Sequence, residues 1–130
     1  MIEAKAVWKK NYQIGVRVRQ FELNVDEPPQ YKGEDTGMMP TELFISSLAS
    51  CFCLALVFVA NKISMDISDM RVDVSAEADT KNLIYNRLIV KVMSSAPEPE
   101  LQELIDRAKK YCYVTNTITQ PCTIEYEIGY

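Results

Sequence analysis

Histidine is absent from this sequence, and its absence removes whole classes of chemistry. No Ser-His-Asp triad, Cys-His protease pair or imidazole proton shuttle can be built, and zinc sites that use histidine are excluded. Acid–base and nucleophilic work is left to Cys, Asp, Glu, Lys, Tyr and Arg. Basic residues are in deficit: 14 Lys and Arg stand against 18 Asp and Glu, a net charge of −4. They are scattered, with short runs only at Lys9-Lys10 and Lys109-Lys110. A nucleic-acid surface needs clustered basic charge, so no such partner is expected. The opening MIEAKAVWKK lacks the apolar stretch and small-residue cleavage site of a secretory signal. The expected compartment is therefore the cytoplasm, where thiols stay reduced.

What is present is 130 residues, 48% of them hydrophobic, without internal repeats or low-complexity segments. Length and composition predict one globular domain over residues 1–130. Period-two alternation predicts strands at 2–9 (Ile2, Ala4, Ala6, Trp8 on one face) and from Ile14 to Val18, with a turn candidate at Asn11-Tyr12. From Phe21 the apolar parity reverses to Phe21, Leu23 and Val25, which predicts a tight turn or bulge at 18–20. Residues 26–40, DEPPQYKGEDTGMMP, read as a long loop of the kind that serves as a lid or binding element.

Residues 40–63 predict a helix about 35 Å long. Glu42 sits in its first turn, and Phe44, Leu48, Cys51, Ala55 and Phe58 share a face. No charge occurs from Leu43 to Ala60, a length that admits a membrane span. Three serines and the lack of strong basic or aromatic flanks favour instead a buried helix, no membrane, and a second subunit covering part of it. Alternation then predicts a hairpin over 70–93 with its turn at 79–82. A helix follows over about 98–112, then a loop YVTNTITQP, then a last strand with Cys122, Ile124, Tyr126 and Ile128 on one face. Strands, long helix, hairpin, helix and strand make an α+β domain with antiparallel sheet.

The four cysteines lack zinc-ribbon spacing, so no metal is expected. Cys51 and Cys53 point about 200° apart on a helix. Cys53 and Cys122 read as small apolar core residues.

Three ordered pieces, FELNVDEPPQYKGEDTG, MPTELFISSLASCF and RAKKYCYVTNTI, resemble the OsmC/Ohr family of osmotically inducible and organic hydroperoxide resistance proteins. The resemblance covers nearly the whole chain and points to a divergent OsmC-like branch. It implies an intertwined homodimer, with antiparallel sheets around a long central apolar helix and active sites at the subunit interface. It also implies reduction of organic hydroperoxides without a cofactor, with Cys51 as the peroxidatic and Cys112 as the resolving cysteine. An external dithiol, of lipoyl type in many members, would restore the thiols.

The family activates its cysteine with an arginine from the N-terminal strands, oriented by a glutamate at the helix start. Arg17 is the best match, with Arg19 as the alternative on the same strand face. Glu42 matches the glutamate of the P-x-E-L pattern, although the family spacing falls on Thr41. Many members follow the second cysteine with proline; Tyr113 stands here. Met38, Met39, Phe52 and Tyr113 are candidates for an apolar substrate pocket. Placed at the C-terminal end of its helix, Cys112 is expected to feel a dipole that disfavours its thiolate. The alternative function is a non-catalytic OsmC-like dimer that binds a small apolar ligand or acts in redox regulation.

Overall fold

The computed structural model describes residues 1–129. The chain divides into two compact units, Met1–Phe44 and the part from Ile45 onward.

The first unit is a three-stranded antiparallel meander of β1 (Lys5–Lys10), β2 (Gln13–Val18) and β3 (Phe21–Val25). Two-residue turns join them, each with a left-handed residue, Asn11 and Arg19. The reversal of apolar parity is the hairpin itself: Val18 pairs with Phe21, Val16 with Leu23 and Ile14 with Val25, so both sets lie on one face. β1 adds Ala6 and Trp8 opposite Val16 and Ile14. The strand begins at Lys5, later than the alternation suggested. Arg19 lies in the turn and not on the strand face of Arg17, so the expectation that the two share a face does not hold.

The loop after β3 is tied down rather than free. A 3-10 turn at Pro29–Tyr31 is closed by Lys32, whose N–H donates to the Pro29 carbonyl. Asp26 is 1% exposed and forms the loop's centre. Its carboxylate accepts from the backbone N–H of Glu27 (2.7 Å), Glu34 (3.3 Å) and Thr36 (3.1 Å), and from the Thr36 hydroxyl (2.6 Å). Met38 bridges Val25 in parallel, and its carbonyl accepts from the Asp26 N–H. The glycines permit this wrapping by close approach. A Cβ at Gly33 would stand 1.8 Å from the Glu27 carbonyl oxygen, and one at Gly37 2.0 Å from that of Asn24.

Helix α1 (Pro40–Lys62) matches the expected helix to within a residue. In the second unit its Leu48, Phe52, Ala55, Leu56, Val59 and Ala60 join Leu104, Ala108 and Cys112 in one buried cluster. Leu104 and Ala108 come from helix α2 (Glu98–Ala108). Val72, Val74, Leu88 and Val92 of the hairpin β4 (Arg71–Asp79) and β5 (Ile84–Met93) pack against it. The hairpin contains a bulge between Glu77 and Ala78 that the alternation did not reveal. It shifts parity, so half-buried Tyr85 joins the face of Leu88 while Ile84 turns outward, 57% exposed.

The C-terminal part departs further from expectation. α2 ends at Ala108, and a 3-10 turn spans Lys109–Tyr111. The segment expected as a loop forms helix α3 (Tyr113–Thr119). The expected last strand is absent among the described residues. Ile124, Tyr126 and Ile128 alternate as a strand would, but they are 72%, 91% and 101% exposed. No ladder forms there, because a strand exists only where another pairs with it. Cys122 is exposed, not a core residue.

Gly33→Ala is expected to destabilise the protein by about 2 kcal/mol or more, because backbone must move. Gly15→Ala should cost less than about 1 kcal/mol, since its Cβ crowds the flexible end of Lys9 and meets the Val7 carbonyl oxygen only at an ordinary contact distance of 3.9 Å. Denaturant unfolding of both variants checks the contrast; equal costs would mean that the loop yields easily.

Candidate active site

The two predicted catalytic cysteines lie in the second unit's core region, and they differ in access. Cys51, at mid-α1, is half-buried and packs against the cluster that contains Cys112. Cys112 is 0% exposed. All four cysteines are free thiols, and among the described residues no three Cys, Asp or Glu side chains converge as a metal site.

Cys112 does not stand at a helix C-terminus as expected. The residue has an extended backbone (φ −98°, ψ 105°) and is the N-cap of α3. Its sulfur accepts a hydrogen bond from the Thr115 N–H at 3.4 Å. The apolar periodicity of 98–112 runs through the 3-10 turn and so conceals the break. The segment YVTNTIT also has too many β-branched residues to read as a helix.

Cys53 is half-buried. Phe52 is 5% exposed and belongs to the buried cluster, while the Tyr113 side chain is 85% exposed at the first position of α3. An open cleft of about 280 Å³ lies in the same unit. Leu48, Leu88, Val90 and Ile118 line it with apolar surface, and Arg87, Thr115 and Thr119 add polar groups. Sequence reasoning did not single out this cleft, since β5 and α3 meet there from distant stretches of chain. Leu48 precedes Cys51 by one helical turn, and Thr115 holds the Cys112 sulfur.

The remaining candidates belong to the first unit. Arg17 projects from β2 with a 62% exposed side chain; its Nε donates to the Arg19 carbonyl at 3.2 Å and lies 3.9 Å from Glu22. Arg17 and Arg19 both line an open depression of about 780 Å³ with Lys5 and residues 1–3. The Arg19 guanidinium stacks 5.0 Å over the Phe21 ring. Glu42 accepts a hydrogen bond from the Met39 N–H at 2.9 Å, and the Met39 carbonyl accepts from Leu43. This is the backward half of a capping box and fixes where α1 starts. Thr41 precedes it in the first turn, and Met38 is 39% exposed.

The family described as OsmC-like protein matches residues 33–127. The chain belongs to the OsmC-like family. Among solved structures it is similar to an OsmC-like protein of Mycoplasma pneumoniae (21% identity, TM-score 0.77, covering 93% of this chain and 89% of that one). It is also similar to an organic hydroperoxide resistance protein OsmC, predicted redox protein, of Legionella pneumophila (26%, TM-score 0.67, 91% and 88%). An organic hydroperoxide resistance protein of Elizabethkingia anophelis gives 24%, TM-score 0.69, and coverage of 90% and 87%. No curated protein matches significantly.

Asp26 provides a pH prediction. The Thr36 hydroxyl and three backbone N–H groups hold its carboxyl below the ordinary 3.8, against the opposing effect of burial. With the folded value below the unfolded one, its contribution is complete above about pH 4 and is lost as pH falls through the lower value. Wild type should exceed Asp26→Asn in denaturation midpoint at pH 7, and the gap should shrink below about pH 3. A gap that stays constant with pH would remove Asp26 as the source.

Proposed function

We propose that this protein is a thiol-dependent organic hydroperoxide reductase that works as a cytoplasmic homodimer, with Cys51 peroxidatic and Cys112 resolving. The observation that carries the reading is the unequal access of two free thiols at one cluster, Cys51 half-buried and Cys112 wholly buried. A substrate can approach the first, while the second is kept for an internal partner. The names of the Legionella and Elizabethkingia relatives point the same way.

In the proposed reaction the Cys51 thiolate attacks the hydroperoxide, the O–O bond breaks, and an alcohol leaves as the sulfenic acid forms. Cys112 then displaces hydroxide, which departs as water, and a Cys51–Cys112 disulfide results. An external dithiol, such as one of lipoyl type, reduces it and is itself oxidised. Arg17 supplies the fixed positive charge that a thiolate needs where no histidine exists. Glu42 orients that arginine. Its bond to Met39 N–H does not exclude this, since a carboxylate accepts several hydrogen bonds. Met38, Met39, Phe52 and Tyr113 contribute to the apolar surroundings of the substrate.

Unsatisfied apolar surface supports the homodimer. Leu54 and Phe58 of α1 are 69% and 46% exposed, and Trp8 on the sheet face is 67% exposed. α1 is long and apolar enough to cross a membrane by length and composition alone. Its six residues in the buried cluster support a core role instead. The cleft lined by Leu48, Leu88, Val90 and Ile118 favours a second reading, a non-catalytic protein that binds a small apolar ligand.

One equivalent of cumene hydroperoxide should consume two thiols and give a Cys51–Cys112 disulfide on peptide mapping, and Cys51→Ser should abolish it. Both thiols still reduced would reject the enzyme reading in favour of the second. Separately, Arg17→Met should slow alkylation of Cys51 by about tenfold or more at pH 7. An unchanged alkylation rate would exclude Arg17 from the site.

A further inference from the structure

We propose that Cys112 is a redox-controlled helix cap, whose entry into a disulfide with Cys51 unpins α3 and shifts one wall of the cleft. This inference rests on the thiol-peroxidase reading above and extends it from chemistry to conformation.

α3 is weak by its own composition. It has seven residues, five of them β-branched, and a helix this short does not persist without outside support. The Thr117 and Thr119 hydroxyls bond back to the Tyr113 and Thr115 carbonyls at 2.7 and 2.8 Å, a pattern that competes with the helix. None of its residues is fully buried, and Val114 alone packs against the buried cluster. The N-terminal ties are therefore decisive. Beside the backbone bond from the Asn116 N–H to the Cys112 carbonyl, the side-chain ties are the Cys112 sulfur on the Thr115 N–H and the Asn116 side chain, which donates to the Lys110 carbonyl at 3.1 Å.

The sulfur of Cys112 has two claims on it. In the thiol form it reaches forward to the Thr115 amide. When the Cys51 sulfenic acid forms, Cys112 sulfur attacks the Cys51 sulfur. The S–O bond breaks, water leaves with the thiol proton, and the oxidising equivalents come from the organic hydroperoxide. The product holds the two sulfurs about 2.05 Å apart at a dihedral near 90°. The sulfur then turns from the first turn of α3 toward α1, and the Thr115 N–H loses its acceptor. Thr115, Ile118 and Thr119 line the cleft, so the wall loosens when the disulfide forms. The oxidised protein thereby presents a different surface to its reductant from the one that it presents to the peroxide.

Hydrogen exchange followed by mass spectrometry on the full chain tests the proposal. Residues 113–120 are compared between the dithiothreitol-reduced protein and the protein treated with cumene hydroperoxide, with the disulfide mapped in parallel. A mapped Cys51–Cys112 disulfide with about five- to tenfold faster exchange in α3, the size of a lost cap, supports it. The same disulfide with unchanged exchange overturns it and leaves the peroxidase reading standing. Absence of the disulfide overturns both. In reduced protein Cys112→Ser keeps an N-cap acceptor and should exchange as wild type, whereas Cys112→Ala should match the oxidised form. Equal protection in all three would show that the sulfur holds nothing.

Discussion

An apolar helix must be covered on every side, and α1 is apolar on every side. Its own unit meets part of that demand. The face of Leu48, Phe52, Ala55, Leu56, Val59 and Ala60 is sealed with Leu104, Ala108 and Cys112. The larger of these side chains, Leu48, Phe52, Leu56, Val59 and Leu104, contribute about 1.5–3 kcal/mol each, so the cluster is the main source of cohesion in the second unit. It also sets how far each neighbouring thiol is shielded from water. A thiol beside the sealed face is shielded from bulk water without being cut off from it, as Cys51 is. The other faces, with Leu54 and Phe58, still present apolar surface.

The same constraint explains why the two thiols are not equivalent. Cys112 closes the cluster at the point where one helix has ended and another starts, so it is both a core atom and a cap. Its sulfur spends hydrogen-bonding capacity on the backbone, which Cys51 at mid-helix has no reason to do. Local geometry thus gives the two thiols different surroundings before any charged group is considered. In a chain without histidine this matters, because no imidazole is available to distinguish one thiol from another.

Much of this could be read from residue order. The helix at 40–62 follows from an uncharged run with three- and four-residue spacings, and the meander follows from alternation and one reversal of parity. Failures occurred where the deciding partner lay elsewhere. The bulge opposite Glu77 depends on cross-strand pairing. The α3 helix is stabilised by a cap that is not Ser, Thr, Asp or Asn, and its β-branched content argues against it locally. The segment around Ile124 has perfect strand alternation and no ladder. Among the site candidates, Cys51 and Cys112 were singled out of four cysteines by the family resemblance and not by spacing; that Cys51 packs against the cluster containing Cys112 could not be read from residue order. The capping bond of Glu42 follows the ordinary N3 rule, whereas the turn position of Arg19 depends on a two-residue hairpin that one sequence does not specify.

The wrapping of residues 26–36 around the Asp26 carboxylate inverts the usual character of a proline- and glycine-rich connection. Such stretches are normally where chains accept insertions and where proteases cut. Here three backbone N–H groups are spent on one carboxylate, and two glycines leave no space for a side chain. The backbone of this stretch is held as interior backbone is, although the side chains of residues 29–32 and 34–36 are exposed. Variation should accumulate instead at places such as the Asp79–Leu83 turn, whose hydrogen bonds are local and exposed.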